Sequence, residues 1–308
     1  MAVTQPDGLS APRVGAVVLN WNNAADTVQC LRGLLASDYP NLGVLVVDNA
    51  SVDDSVTRLR QQYPDVTLRV NERNLGYTGG NNIGLQYWLE QGADYVLLIN
   101  DDAVPDPGMV SALVAALQAR PDAGCAGPKV YASEEPERLL SAGGRLAQGW
   151  RPVQRGLGEM DRGQYDTAGA VDYLSGCALL ASRAMIERIG LLDARFFAYF
   201  EDVEWCYRAG QANFKSLYVP EAKVWHPDTR RRDNASVSVT YYCARNQLLF
   251  AHKHRLGLTV IVRLLAMHSR TLLSWTLRPK WRSRRPQRNA LARVLWDYAW
   301  GRSGRMSP

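Results

Sequence analysis

The sequence predicts an α/β fold built on a mostly parallel central sheet. Three observations carry this prediction. Short, near-continuous Val/Ile/Leu runs recur at VGAVVLN (14–20), GVLVVDN (43–49) and DYVLLIN (94–100). Such runs belong to strands covered on both faces, which is the habit of parallel sheets. Segments with helical spacing lie between them, giving the strand–helix alternation of α/β domains. Each of the three runs also ends in Asn or Asp, where the sheet stops and water begins.

Taken in order, VGAVVLN is followed by apolar residues at helical spacing, Val28, Leu31, Leu34 and Leu35. After GVLVVDN, Ser51 and Asp54 form a Ser-x-x-Asp pattern that reads as a capping box, opening a helix to about Tyr63. VTLRV (66–70) is a further strand, and a helix is expected from Asn81 to Glu90. Asp106-Pro107 is a helix start after the strand 94–100. Beyond Cys125 the pattern shortens. GPKVYAS, SAGGRLAQGW and VDYLSGCALLAS read as short strands and hairpins. SRAMIERIG is helical, FEDVEWCYRAG opens another helix, and NFKSLYV and AKVWH are strands. From Val239 the chain is expected to be helical to its end, broken near Pro279 and Pro286.

The 308 residues are 46% apolar and 21% charged, an ordinary balance for a globular enzyme of one or two domains. Five scattered cysteines without CxxC spacing argue against a disulfide framework or a zinc site and for a reducing cytoplasm. Residues 1–12 lack a signal-peptide core and read as a disordered tail. No run of 18 uncharged apolar residues exists to span a membrane. Charge is unevenly placed. Residues 251–308 hold thirteen Lys and Arg against one acid, Asp297, and so carry +12; the +6 total leaves −6 for the rest.

Four features point to chemistry. Acids after LLI in Asn100-Asp101-Asp102 suit a hard divalent cation, Mg²⁺ or Mn²⁺, although a turn rich in Asp and Pro reads the same way. NLGYTGGNNIG (74–84) has four glycines and reads as a loop that lets backbone approach a ligand. It is neither GxGxxG after the first strand nor GxxxxGK[ST], which disfavours a dinucleotide oxidoreductase and a P-loop enzyme. In FFAYFEDVEW, Glu201, Asp202 and Glu204 sit among aromatics. Lost hydration raises carboxylate pKa values, one way to make a general base, while a plain acidic helix start is the other reading. His226 closes a strand as either a structural residue or a ligand.

Together these segments resemble the family-2 glycosyltransferases of GT-A fold, in particular a bacterial rhamnosyltransferase-like branch. The resemblance rests on VVLNWNN, VLVVDNASVDDS, NERNLGYTGGNNIG, LLINDDAVPDPG, SGCALLASRAMIERIGLLDARFFAYFEDVEWCYRAG and YVPEAKVWH, in family order over about residues 14–226. YYCARNQLLFAHKH also resembles the first helix after the family's catalytic domain. It implies a GT-A domain over 13–235 and inverting transfer of a sugar from a nucleotide-diphosphate sugar, UDP- or dTDP-linked, to a hydroxyl of a glycan or lipid-linked acceptor. Asp202 matches the catalytic base. Asp102 matches the metal ligand, with His226 as a second ligand and Mn or Mg as the metal. Asn20, Asp48, Asn74, Gly79, Gly80, Asn81, Asn100 and Asp101 fall at donor contacts, and Glu201 and Trp205 at the acceptor side. A non-catalytic nucleotide-sugar or glycan binder is the alternative, although all the expected acids are present. A nucleotidylyltransferase would need a Gly- and Arg-rich loop that LNWNNAADT lacks.

Residues 236–308 are expected to form a helical basic region. Charge interleaved with Trp275, Trp281, Trp296 and Trp300 is the composition of an interfacial anchor on an anionic membrane, with a helical subdomain packed on the catalytic domain as the other reading. No nucleic-acid motif accompanies the charge. The expected location is the cytoplasm, with peripheral attachment at the inner face of the cell membrane.

Overall fold

The computed structural model describes residues 11–148, 150–228 and 236–306. In chain order these form β1 (Val14–Asn20), α1 (Ala24–Leu35), β2 (Leu42–Asp48), α2 (Ser55–Gln62), β3 (Thr67–Val70), α3 (Gly76–Glu90), β4 (Tyr95–Asn100), β5 (Val104–Pro105) and α4 (Met109–Ala119). There follow β6 (Ala123–Ala132), β7 (Leu139–Ser141), β8 (Gly144–Ala147), β9 (Arg151–Gln154), β10 (Gly169–Val171), β11 (Ala178–Ser182), α5 (Arg183–Ile189), α6 (Glu201–Gln211) and β12 (Lys215–His226). The chain ends in α7 (Val237–Lys253), α8 (Leu258–Leu277) and α9 (Arg285–Ala299). Residues 1–10 of the expected tail, and the expected boundary near 235, lie outside the described residues. Ala11 and Pro12 belong to the fold, since their carbonyls accept from Asn41 and Tyr39.

The main sheet runs β10-β12-β6-β11-β4-β1-β2-β3. β4, β1, β2 and β3 are parallel neighbours, as their apolar runs predict. β11 is antiparallel to both β4 and β6, so the sheet is mixed beyond the first half. NFKSLYV and AKVWH are one strand rather than two. β12 pairs with β6 along its length, with a register shift between Val219 and Lys223. Its far end also receives β5, which brings His226 beside the β4 rim.

Two cores cover the sheet's faces. On one, α1 and α4 place Leu31, Leu34, Leu113 and Leu117 against β1, β4 and β6. On the other, α3, α5 and α6 contribute Leu85, Trp88, Met185, Val203 and Trp205. Here the expected glycine loop is a helix, because α3 begins at Gly76 and not near Asn81. Its glycines serve close packing: a Cβ on Gly80 would lie 2.3 Å from Leu19, and one on Gly84 2.3 Å from Val17.

The C-terminal helices build a third core from Tyr241, Leu248, Leu264, Leu291 and Val294. Pro286 falls in the first turn of α9, where its missing N–H costs nothing. Buried Asp297 accepts from Tyr241 (2.7 Å) and Arg293 (3.0 Å), tying α9 to α7. Among the described residues no helix is long and apolar enough to cross a membrane.

Candidate active site

The rim is made by the carboxyl ends of β4, β1 and β2. Register pairs Asn20 with Asp48 and Leu19 with Asn100, so the three polar strand ends lie side by side. Asn20 Nδ2 donates to Asp48 Oδ2 (2.6 Å), and Thr27 Oγ1 donates to Asn20 Oδ1 (2.8 Å). Ser51 does not cap α2; its backbone N–H and hydroxyl donate to Asp48 (2.9 and 2.6 Å), and the helix starts only at Ser55. The carboxylate outcompetes a helix end because it accepts charge-assisted bonds.

Much of the expected donor set lies along this rim. Asn20, Asp48 and Asn81 are buried; Asn20 and Asp48 are hydrogen-bonded to each other and to Thr27 and Ser51, while Asn81 Oδ1 has no partner. Asn74 spends its Oδ1 on Gly76 N–H and Asn49 Nδ2, fixing the turn into α3. Gly79 packs on Leu75 and Gly80 on Leu19.

Asn100, Asp101, Asp102 and His226 do come together. His226 Nε2 is 3.2 Å from Asn100 Nδ2 and 3.0 Å from Asp102 Oδ1. Nδ1 lies 2.9 Å from the Pro227 carbonyl, which can only accept, so that nitrogen carries the proton. Nε2 faces the Asp102 carboxylate; burial pulls the His226 pKa down, but the hydrogen bond and charge of Asp102 outweigh it and leave it raised, so a cation bound here would take the place of the Nε2 proton. Asn100 Oδ1 is buried without a hydrogen-bond partner, and buried Asp102 Oδ1 has none besides His226. Three electron-rich atoms turned inward, with a carbonyl orienting the imidazole from behind, form a donor set suited to a divalent cation. Among the described residues no group of three or more His, Cys, Asp and Glu could hold a metal, so further ligands would have to come from a substrate. Asp101 is held by the Asn23 amide (3.2 Å) and is pushed up to about 7 by burial and then by the charge of Asp102.

Asp202 stands at the start of α6, after a strained turn. Phe197, Tyr199 and Phe200 all have positive φ (63°, 66° and 75°), a region costly for side chains of this size. The turn aims Asp202 at Gly176, whose N–H donates to Oδ2 (2.9 Å), while Tyr77 Oη donates to the Gly176 carbonyl (2.8 Å). Burial raises the pKa of both Glu201 and Asp202. The larger push falls on Glu201, where the Asp202 charge adds to burial; backbone N–H groups from Gly176 and Val203 restrain the rise at Asp202. Burial resists ionisation at both carboxyls, and Asp202, which accepts the two backbone N–H groups, is the better placed of the pair to carry charge. Asp202 lines two cavities. One, of about 360 Å³, holds Asn100, His226, Tyr77 and Glu201; the other, of about 440 Å³, runs toward α7 and α8 past Tyr173, Gln247 and His268.

Two neighbours differ from expectation. Trp205 is 1% exposed and donates its Nε1 to Gly190 O (2.9 Å), so it is a core residue and not an acceptor platform. It packs in the core with Val203, Cys206 and Ala209 of the same helix. Glu204 is buried in an ion cluster with Arg208 (2.8 Å), Lys253 (2.6 Å) and His254 (3.1 Å), which joins α6 to α7.

Residues missed in the sequence hold the turn from behind. Asn246 Nδ2 donates to the carbonyls of Phe196 (2.9 Å), Ala198 (2.8 Å) and Tyr199 (2.5 Å). Arg245 donates to Arg195, Phe196 and Gly304 carbonyls. The helix α7 therefore serves the site directly. The only sequence signal was polar Arg-Asn inside an apolar helical run.

The family described as "Glycosyltransferase like family 2" matches residues 12–240, more than half of the chain. The chain belongs to this family. It is 32% identical over 210 residues to N-acetylglucosaminyl-diphospho-decaprenol L-rhamnosyltransferase of Mycobacterium tuberculosis, covering 62% of this chain and 68% of that protein. It is 23% identical to the dTDP-rhamnosyl transferase RfbF of Shigella flexneri, covering 80% and 83%. Among solved structures, a mannosyltransferase from Pyrobaculum calidifontis, in complex with GDP-Man and Mn²⁺, aligns with a TM-score of 0.58 at 17% identity over 97% of this chain and 90% of that one. That likeness places the glycosyltransferase on the GT-A fold. It is thus a rhamnosyltransferase-like enzyme of family 2, as its motifs predict.

Proposed function

We propose that this glycosyltransferase moves a sugar, with inversion, from a nucleoside-diphosphate donor to a hydroxyl of a lipid-linked or glycan acceptor, with Asp202 as general base. The observation that carries this reading is the position of Asp202 in the wall between the two cavities. A base must touch the attacking hydroxyl on one side and face the donor's anomeric carbon on the other. In the proposed step the acceptor oxygen bonds to the anomeric carbon on the face opposite the leaving group. The bond from that carbon to the diphosphate breaks, and the acceptor proton passes to Asp202. The N–H groups of Gly176 and Val203 favour the ionised form of Asp202 that receives it. Holding both substrates across one wall adds the entropic advantage of proximity.

Asp102 and His226, with Asn100 beside them, would hold a divalent cation, Mn²⁺ or Mg²⁺, whose charge offsets that developing on the leaving diphosphate. The Mn²⁺ named with the Pyrobaculum enzyme supports this. The donor lies on the rim of β4, β1 and β2 near Asn100, Asp101 and the turn at 74–76. The Shigella relative's name favours a dTDP-linked sugar over a UDP-linked one, and the mycobacterial relative's name favours a lipid-linked acceptor. The basic C-terminal helices are then a peripheral contact with the inner membrane leaflet.

The test is Asp202→Asn. Transfer should fall at least a thousandfold, while calorimetry still detects dTDP-rhamnose binding with Mn²⁺; a fully active variant would sink the base assignment. Asp102→Ala should remove the metal dependence of donor binding, and unchanged dependence would count against its role as ligand.

A further inference from the structure

The 440 Å³ cavity does not end at the catalytic domain. It reaches α8, where His268, Thr271 and Trp275 line it. Thr271 and Trp275 also line a groove on the outer side of α8, with Arg263, Arg270 and Arg278. Sharing these two side chains, the cavity at Asp202 and the arginine-bearing surface of α8 are neighbours, two ends of one candidate path.

The two ends of this path differ in chemistry. The inner part is walled by Tyr173, Phe200, Trp275 and Leu291, with a few polar groups among them, the usual make-up of a site for a sugar ring. His268 is 7% exposed, its Nε2 has no hydrogen-bond partner, and burial lowers its pKa, so it is a neutral imidazole. The outer part is both cationic and apolar. Arg263 and Arg270 are seven residues apart and share a face. Leu273 and Leu277 stand 59% and 74% exposed beside them. Asp297, the sole acid in residues 251–308, is committed to Arg293 and Tyr241. Among the described residues no ion pair involves Arg263, Arg270 or Arg278. A cationic face without internal counter-charge, set in exposed apolar surface, matches an anion attached to an apolar chain.

We propose that α8 carries a subsite for the acceptor's phosphate linker. The acceptor sugar occupies the inner cavity with its hydroxyl at Asp202, and the phosphate that joins it to a lipid lies on Arg263, Arg270 and Arg278. This rests on the assignment of Asp202 as base, and it adds that acceptors are selected by the charge of their linker. The arginines are binding residues and take no part in the chemistry.

The probe is geranyl diphosphate, an anionic amphiphile without a sugar, used in EDTA below its aggregation concentration so that the Asp102–His226 site is not engaged through metal. Calorimetry on the full chain should show binding to the wild type that weakens at least tenfold in Arg263→Gln/Arg270→Gln, while geraniol binds both proteins alike. Equal binding of geranyl diphosphate to wild type and variant overturns the proposal. So does a variant that loses only sedimentation with phosphatidylglycerol vesicles, because the arginines would then serve bilayer headgroups alone. Asp202→Asn should bind geranyl diphosphate as the wild type does, so failure of the base assignment and failure of this subsite give different results. An unchanged Tm in the double variant, expected for exposed side chains, shows that the loss is local.

Discussion

Asn246 offers the sharpest test of how the site is held. Its amide contacts three carbonyls of the segment that ends at Asp202, and its own Oδ1 is buried without a partner. A residue kept for packing alone would not leave an oxygen so placed. The segment it holds has three non-glycine residues at positive φ, each costing about 1–3 kcal/mol. Asn246→Asp keeps the shape but replaces donors with acceptors. Phe196 retains Arg245, whereas the carbonyls of Ala198 and Tyr199 lose the donor they have. At about 1–3 kcal/mol for each buried group left unmet, the loss is about 2–6 kcal/mol, comparable with the strain it restrains. The turn should relax and carry Asp202 away from Gly176. We expect kcat to fall at least tenfold with the KM for donor unchanged, and Tm to drop by several degrees. Steady-state kinetics and a thermal melt read both. Asn246→Ala, which adds no charge, should show the same split in weaker form. If Asn246→Asp folds with unchanged Tm and kcat, the clamp argument is wrong.

Two further predictions concern charge. Glu201 has a folded pKa raised above its ordinary 4.5, so its contribution to stability declines as pH rises beyond that value; Glu201→Gln should therefore melt higher than wild type at pH 8 and show little difference at pH 4. A variant that melts lower at pH 8 would contradict the raised pKa. Glu204 behaves oppositely: His254, Arg208 and Lys253 overcome burial and hold it down at about 2, so its stabilisation is complete above 4.5 and lost as pH falls toward 2. Glu204→Gln should cost about 3 kcal/mol at pH 7, from the shift alone, with a gap to wild type that closes between pH 4.5 and pH 2; a gap independent of pH would refute the ion cluster.

Much of the fold was legible because its signals are local. VGAVVLN, GVLVVDN and DYVLLIN are strands by composition, and the Asn and Asp at their ends reach one rim because parallel neighbours end together. The glycine segment misled for a definable reason. Gly76, Gly79, Gly80 and Gly84 read as a loop, yet they lie in a helix that must pack against Leu19 and Val17 without room for a Cβ. Ser51 misled likewise, since a capping pattern cannot reveal that Asp48 has a stronger use for the hydroxyl.

By itself the sequence determined most of the strand and helix order, the family, and which acids stand where chemistry is expected. Tertiary structure alone decided what those residues face. Trp205 and Asp202 sit three positions apart, and only packing turned one into the core and the other into the wall of two cavities. Asn246 lies 47 residues from Tyr199, and Thr271 lies 69 beyond Asp202. Hydrogen bonds and burial depend on distance in space. Separations of that length are closed by the folded core, and no local pattern records them.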